Sequence, residues 1–268
     1  MTKVIAALDN SLAAKPVVAT ALALGRLLDA ETELIHVRVY GQWTARSAAD
    51  AAGLELQTLT GPVLARLLER GRAEDVVAMV LGARGTPGGR RPLGSTAFRV
   101  ATSLEKPVVI VPPNSSPATE LQRVLVPLEG NLPAALVPRA IVALGGEAAV
   151  EVVVLHVHEE RSLPTFTDQP QHERQAWARE FLTRYCPWGI GHVRLETRVG
   201  SSEELVPLVA GETEADLIVL GWAQELAEGR APVVRAALAR GRAPVMLVPV
   251  RTPTWKEESW NSLQSLPA

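Results

Sequence analysis

Short apolar segments alternate along this chain with longer segments of helical periodicity. In the first half, the strand-like segments include residues 3–9, 34–37, 54–61, 77–82 and 106–112, and helical periodicity covers residues 13–28, 62–72 and 94–104. Nearly continuous apolar strands separated by helices are typical of parallel strands that are buried on both faces. The pattern therefore predicts a doubly wound α/β fold.

The same pattern occurs twice. The segment that begins at Lys3 resembles the one at Arg123, and the segment that begins at Leu34 resembles the one at Val154, so both pairs are 120 residues apart. Later segments, ending at residues 61, 82 and 112, resemble those ending at residues 200, 221 and 249. Their larger offset indicates an insertion of about 19 residues between the second and third strands of the second copy. The duplication predicts two tandem, five-stranded, parallel-sheet domains.

A segment rich in proline and serine, PNSSPA at residues 113–118, separates the two copies. Such a segment does not easily continue a strand or start a helix, so we expect it to be the linker. The predicted domains are residues 1–117 and 118–251, followed by a tail of residues 252–268. The tail contains Trp255 and Trp260 and is either disordered or docked on the body.

Composition narrows the class of protein. Among 268 residues, 27 basic and 29 acidic side chains give a net charge of −2, so no global field favours nucleic acid. The lone Cys186 cannot form an internal disulfide, which favours a reducing cytoplasm. The N-terminus lacks a signal-peptide pattern, and no segment approaches about 18 consecutive apolar residues. We therefore expect a cytoplasmic protein without nucleic-acid or membrane partners.

Candidate chemistry lies where the first and fourth strands of the first copy end. Ligands of open parallel sheets bind outside the carboxyl ends of the strands, where the strand order reverses. Asp9 follows the first strand, and residues 82–96 follow the fourth with five glycines and three arginines. Glycine amides, a helix N-terminus and the Ser95 and Thr96 hydroxyls suit a polyphosphate. Asp9 would accept a ribose or base donor, or would cap the first helix, and both roles stay open.

These residues resemble a known family. The pattern Gly82-x2-Gly85-x8-Gly94-Ser95 is similar to the G-x2-G-x9-G-[ST] pattern of ATP-binding universal stress proteins, with one residue fewer in the middle. Nearly the whole chain is similar to the tandem form of that family, which has a Rossmann-like fold. The resemblance implies ATP, with Mg held through its phosphates, as the ligand. It implies an acidic position at Asp9, an adenine contact at Val37, ribose contacts at Leu81 and Gly82, and phosphate contacts at Gly85, Gly94, Ser95 and Thr96.

The second copy departs from this pattern. Glu129 replaces the aspartate, while Val157 and Gly221 are retained. A segment that begins at Trp222 replaces the glycine-rich loop and brings two glutamates, Glu225 and Glu228, to where phosphate would lie. Since like charges repel, the second copy is expected to be chiefly structural. Whether it also binds nucleotide stays open.

The function favoured by these residues is an ATP-binding module of a stress response or of signalling, with slow or no ATP hydrolysis. Neither a G-x4-G-K-[ST] pattern nor a kinase signature is present, and no catalytic residue is predicted. One alternative is an interaction scaffold of the same fold that binds no nucleotide. A nucleotide-dependent enzyme is the third, although the first strand is not followed by G-x-G-x-x-G.

Two further expectations concern the frame of the fold. His36 and His156 are related by the repeat and lie within strands, so we expect hydrogen-bonded structural histidines. The fifth strands end in Val-Pro at Pro112 and Pro249, and the family resemblance implies that these edge strands pair between domains. The chain would then be a pseudo-dimeric monomer or would form a homodimer through other faces.

Overall fold

The computed structural model describes residues 1–38, 43–84, 93–116, 120–128, 150–158, 170–185, 193–225 and 231–250. The N-terminal half comprises β1 (Lys3–Leu8), α1 (Ala14–Leu27), β2 (Glu31–Val37), α2 (Trp43–Ala52), β3 (Leu56–Leu59), α3 (Val63–Arg72), β4 (Val76–Gly82), α4 (Ser95–Ser103) and β5 (Val108–Val111). The C-terminal half comprises β6 (Arg123–Pro127), β7 (Glu151–His158), α5 (Pro170–Tyr185), β8 (Val193–Val199), α6 (Ser202–Glu212), β9 (Leu217–Trp222), α7 (Pro232–Arg240) and β10 (Val245–Pro249).

The ten strands of the described residues form one sheet, in the order β3-β2-β1-β4-β5-β10-β9-β6-β7-β8. Neighbours within each half are parallel. At the centre β5 and β10 pair antiparallel, with Met246 opposite Val109. The two halves therefore repeat one doubly wound order on either side of a pseudo-twofold axis. This confirms the expectation that the fifth strands pair within a single chain. Of the predicted linker, residues 113–118, the last two residues lie outside the described residues.

The strands are almost entirely apolar because helices cover both faces of the sheet. On β1, Val4 and Ala6 pack in one hydrophobic cluster and Ile5 packs in the other. In the central strand β5 all four side chains are buried. Such strands cannot alternate apolar with polar residues, which is why they are recognisable as uninterrupted apolar segments.

Two glycines at repeat-related positions end the third strand of each half. Gly61 has φ +122° and Gly200 has φ +139°, a region that side-chain-bearing residues rarely adopt. The backbone turn therefore explains why this position is glycine in both copies.

His36 and His156 have the same structural role. The Nδ1 atom of His36 lies 2.8 Å from the carbonyl oxygen of Leu8, and that of His156 lies 2.8 Å from the carbonyl oxygen of Leu128. Since a carbonyl oxygen only accepts, Nδ1 carries the proton and donates in both. Each histidine ties the end of its second strand to the end of the first, as expected of a structural histidine.

The helix α5 lies between the second and third strands of the second copy, where the insertion was predicted, and it covers an aromatic cluster. Trp177 and Phe181 of this helix pack on His156 and His158 of β7, with the two imidazole rings 4.4 Å apart. Burial, followed by the neighbouring His156, lowers the pKa of His158. In the described part of the chain, no three His, Cys, Asp or Glu side chains are grouped to hold a metal ion. No described helix is both long and apolar enough to cross a bilayer.

A charge cluster lies at the amino end of the first-half strands. The guanidinium of Arg70 donates to Glu33 at 2.7 Å and to Asp75 at 2.8 Å, and Lys3 donates to Glu33 at 3.0 Å. The hydrogen bond from Arg70 lowers the pKa of Asp75 to about 2 and is the main cause of the lowered pKa of Glu33. Both carboxylates therefore contribute stability in their ionised form.

Hydrogen bonds from the side chain of Gln224 connect the two halves beyond the sheet. Its Nε2 donates to the carbonyl oxygens of Leu104 at 2.6 Å and Ala101 at 3.1 Å. These carbonyls lie at the C-terminal end of α4, where helix carbonyls lack helical partners. Gln224 itself has φ +58° and lies 139 residues after Gly85, the same offset that relates Gly221 to Gly82. The second copy thus uses a phosphate-loop position of the first to hold α4.

Replacing Arg70 by Met is expected to destabilise the protein strongly at neutral pH and less at low pH. The folded-state pKa values of Asp75 and Glu33 are depressed, so their stabilisation is present above about pH 4 and is lost as pH falls toward 2. Urea unfolding at pH 7 and pH 3 measures the difference from wild type. Arg66→Met, which breaks the exposed Arg66–Glu69 pair, is the control and should change stability little. An equal loss for Arg70→Met at both pH values would contradict the assignment.

Replacing Gln224 by Ala is expected to lower the free energy of unfolding by about 1–3 kcal/mol, because two helix-end carbonyls lose their donor. Gln224→Gly removes the same donor but relieves the left-handed backbone. The glycine variant should therefore be more stable than the alanine variant by about 1 kcal/mol. Urea unfolding of both variants checks this order, and wild-type stability in both would exclude the connecting role.

Candidate functional site

The carboxyl ends of β1, β2 and β4 bring four predicted site residues to one edge of the sheet. The last residue of β1 pairs with the penultimate residue of β2, so Asp9 follows beside Val37. The same strand pairs with β4 up to Leu81, so Gly82 lies at this edge too. Since β1 and β4 lead to opposite sides of the strand order, this is the reversal point where a ligand crevice forms.

The start of α4 is held at this edge by a backbone hydrogen bond. The N–H of Gly94 donates to the carbonyl oxygen of Ala83, which directly follows β4, at 2.8 Å. This bond closes the base of the glycine-rich loop. The helix then begins at Ser95 without a side-chain cap, and Ser95 and Thr96 are exposed. The first-turn amides and two hydroxyls are thus placed beside the carboxyl end of β4.

The structure assigns Gly94 a different use from the one expected. Its amide is engaged with Ala83, so the donors left for an anion at this helix are the first-turn amides of Ser95, Thr96 and Ala97 and the two hydroxyls. Gly85 and the rest of the loop, residues 86–92, lie outside the described residues.

Arg84 was not among the site residues predicted from the sequence. It immediately precedes the glycine-rich loop, and its buried Nε has no hydrogen-bond partner among the described residues. A buried guanidinium N–H without an acceptor is costly, and an anionic oxygen would supply that acceptor. Its position between Gly82 and Gly85 in the glycine motif could have identified Arg84 as a site residue from the sequence.

Asp9 builds the turn between β1 and α1. Its Oδ1 accepts hydrogen bonds from the backbone N–H of Ser11 at 3.0 Å and from the Ser11 hydroxyl at 2.5 Å. The Ser11 hydroxyl oxygen in turn accepts from the N–H of Ala13 at 3.2 Å. The residue at the N-cap of α1 is Ala13, without a side-chain cap, so Asp9 shapes the entry to the helix rather than capping it.

Packing explains three of the other predicted residues. Val37 and Leu81 are only 6% and 5% exposed and pack in the same core cluster. A Cβ at Gly82 would lie 3.2 Å from the Cβ of Ala13, so the start of α1 favours glycine here. Val37, Leu81 and Gly82 thus lie at the floor of the crevice and offer a ligand little polar surface.

The corresponding crevice of the C-terminal half is a cavity of about 300 Å³ at the ends of β6, β7 and β9 and the start of α7. Helices α4 and α7 are both nine residues long and begin 137 residues apart. The tripeptide Ala231-Pro232-Val233 therefore corresponds to Gly94-Ser95-Thr96 of the first half. Of the other second-copy residues, Val157 and Gly221 line the cavity, whereas Glu129 and Glu228 lie outside the described residues.

This geometry defines a class: α/β proteins with two doubly wound halves joined in one sheet. Residues 120–249 match the model of the universal stress protein family. The chain therefore carries a universal stress protein domain in its C-terminal half, and the family resemblance noted in the sequence is confirmed. The match covers the half in which Ala-Pro-Val replaces Gly-Ser-Thr, so membership by itself does not establish a nucleotide site. No curated protein matches the chain.

Solved structures share the fold over the whole chain. A functionally unknown protein from Pseudomonas aeruginosa PAO1 and a putative universal stress protein from P. aeruginosa UCBPP-PA14 are each 12% identical with a TM-score of 0.64. Both matches cover 93% of this chain, and 93% and 94% of the respective neighbours. A universal stress protein from Archaeoglobus fulgidus DSM 4304 is 14% identical with a TM-score of 0.62, covering 91% of this chain and 97% of its own. At these identities the likeness concerns the fold alone.

Replacing Asp9 by Ala is expected to lower the free energy of unfolding by about 1–2 kcal/mol, because two Ser11 donors lose their acceptor. Asp9→Asn keeps an oxygen at the acceptor position and should retain most of that stability. Urea unfolding tests the turn. If Asn destabilises as much as Ala, the charge of Asp9 rather than its hydrogen bonds is what stabilises the turn.

Proposed function

We propose that the N-terminal half binds ATP, with Mg shared by its phosphates, and that the protein is a nucleotide-responsive module of a stress response or of signalling. The observation that carries the proposal is the bond between Gly94 and Ala83. This bond holds the uncapped start of α4 beside the ends of β1 and β4, in a chain whose loop resembles the family's ATP-binding pattern.

The phosphates are assigned to Ser95, Thr96 and Arg84. First-turn amides carry the positive end of the helix dipole, and hydroxyls and a guanidinium add donors. We also assign Gly85, which belongs to the glycine-rich loop, to the phosphates. The nucleoside is assigned to the floor of the crevice, with adenine near Val37 and ribose near Leu81, Gly82 and Asp9. Because the Asp9 carboxylate and the phosphates would repel each other, we assign Asp9 to the part of the nucleotide away from the phosphates.

Slow or absent hydrolysis is part of the proposal. Phosphoryl transfer requires a positioned nucleophile and a metal-binding carboxylate besides a phosphate cradle. Of the described residues at this edge, Asp9 is the one carboxylate in the assigned set, and its Oδ1 is used by the Ser11 turn. The nucleotide would therefore act as a bound signal. The lone Cys186, which has no internal disulfide partner, supports a reducing, cytoplasmic location for this module.

Isothermal titration with Mg-ATP tests the site. The wild-type chain should bind one nucleotide, and Ser95→Ala combined with Thr96→Ala should weaken binding at least about tenfold, because two donors to a charged ligand are lost. Thr102→Ala removes an exposed hydroxyl from the far end of the same helix and should bind as wild type.

Two results would overturn the proposal. Absence of heat and of a thermal shift with millimolar Mg-ATP would favour the scaffold without nucleotide. Equal binding by the double variant and by Thr102→Ala would place the nucleotide elsewhere. Light scattering with and without Mg-ATP would show whether the pseudo-dimeric chain also forms a homodimer.

A further inference from the structure

The cavity of the C-terminal half retains the position of a ligand crevice but not its phosphate-binding groups. Its volume of about 300 Å³ is at the lower end of the range of small-molecule sites. Most of its walls are aliphatic or aromatic, and the lining residues include Leu155, Val157, Val206, Leu220, Trp222 and Val234.

At the start of α7 the groups that could hold an anion are replaced one by one. Ala231 stands in place of Gly94, and Pro232, at the first position of the helix, has no N–H to donate. Val233 stands in place of Thr96 and brings methyl groups instead of a hydroxyl. The N-terminus of this helix thus lacks one amide and both hydroxyls that the first half offers to phosphate, although the crevice beside it persists.

The electrostatics of the cavity also disfavour an anion. Glu225 is one of the lining residues, and among the described lining residues none is a lysine, arginine or histidine. The helix α6, which contributes Ser202 to the wall, already has Glu203 and Glu204 in its first turn, so negative charge is present at its dipole. A charged phosphate would meet the carboxylate of Glu225 here, and no cationic side chain among the described lining residues would hold it.

One lining residue has a buried polar atom without a partner among the described residues. Trp222 is 4% exposed, and no described residue accepts a hydrogen bond from its indole Nε1. In the first half, the corresponding residue is Ala83, which has no polar side-chain atom. A buried N–H without an acceptor costs free energy that an acceptor on a ligand would recover.

We propose that this cavity is a second ligand site, which binds an uncharged, largely apolar small molecule carrying a hydrogen-bond acceptor for Trp222. The proposal does not depend on nucleotide binding by the N-terminal half. It gives the two crevices of one duplicated fold different ligand classes: a polyanion in the first, and a neutral, largely apolar compound in the second.

The probe for the test is prodan, a neutral naphthalene ketone whose emission shifts to the blue in apolar surroundings. The full-length chain should show saturable binding of one prodan per chain. Val233→Trp should abolish it, because this partly exposed residue lines the cavity and a larger side chain would fill it without disturbing the buried core. Leu208→Trp, at a 53% exposed position of α6 outside the cavity lining, adds the same side chain and should leave binding unchanged.

The hydrogen bond has its own test. Trp222→Phe keeps an aromatic ring but removes the N–H, and should weaken prodan binding by about fivefold. Dimethylaminonaphthalene, which lacks the ketone, should bind wild type and Trp222→Phe equally. If Trp222→Phe weakens the binding of both probes equally, the indole N–H does not bond to the ketone. That result would contradict the proposed hydrogen bond between Trp222 and the ligand.

Further outcomes would overturn the site itself: no saturable prodan binding, or binding that survives Val233→Trp. Displacement of prodan by Mg-ATP from the Ser95→Ala and Thr96→Ala double variant would show that the cavity binds nucleotide instead. Titration of Val233→Trp with Mg-ATP separates the two proposals, since the N-terminal site should bind as in wild type whether or not the second cavity binds prodan.

Discussion

The pairing of β5 with β10 is the constraint on which the rest of the structure depends. A doubly wound order of five strands ends on β5, whose four side chains are all buried and whose outer backbone groups need partners. Three antiparallel residue pairs with β10 supply them. Because the partner strand belongs to the same chain, the two halves form one continuous sheet. Side chains reinforce the junction, since Ser115 donates to the carbonyl oxygen of Arg242 and Gln224 donates to the end of α4.

Duplication within one chain allows the two crevices to differ. In separate identical subunits every loop position would serve both sites, whereas here the position of Gly85 in the first copy is Gln224 in the second. That residue adopts a left-handed backbone and uses its side chain to hold the helix whose other end begins with Ser95. The same fold therefore carries two chemistries, as expected where function belongs to the site rather than to the architecture.

Much of the fold could be predicted because its signals are local and repeated. The helices predicted at residues 13–28, 62–72 and 94–104 are observed as α1, α3 and α4 within one residue at each end. Matching segments also indicated the tandem halves and the structural histidines. The site was less predictable. The hydrogen bond of Gly94 to Ala83, the orphaned Nε of Arg84 and the reach of Gln224 across the junction all depend on which groups meet after folding.

By itself the sequence determined the class of fold and the duplication, since both follow from the periodicity and order of apolar segments, which burial on both sheet faces imposes. The family was indicated separately, by the resemblance of the loop from Gly82 to Ser95 to that of universal stress proteins. It also showed that the second copy lacks a glycine-rich loop. Only the tertiary structure decided what replaced that loop: a cavity walled by apolar side chains around Trp222, and a glutamine bound to the other half. The physical reason is that a cavity and an unpaired donor are properties of residues far apart in the chain. No local pattern records which of them will face one another.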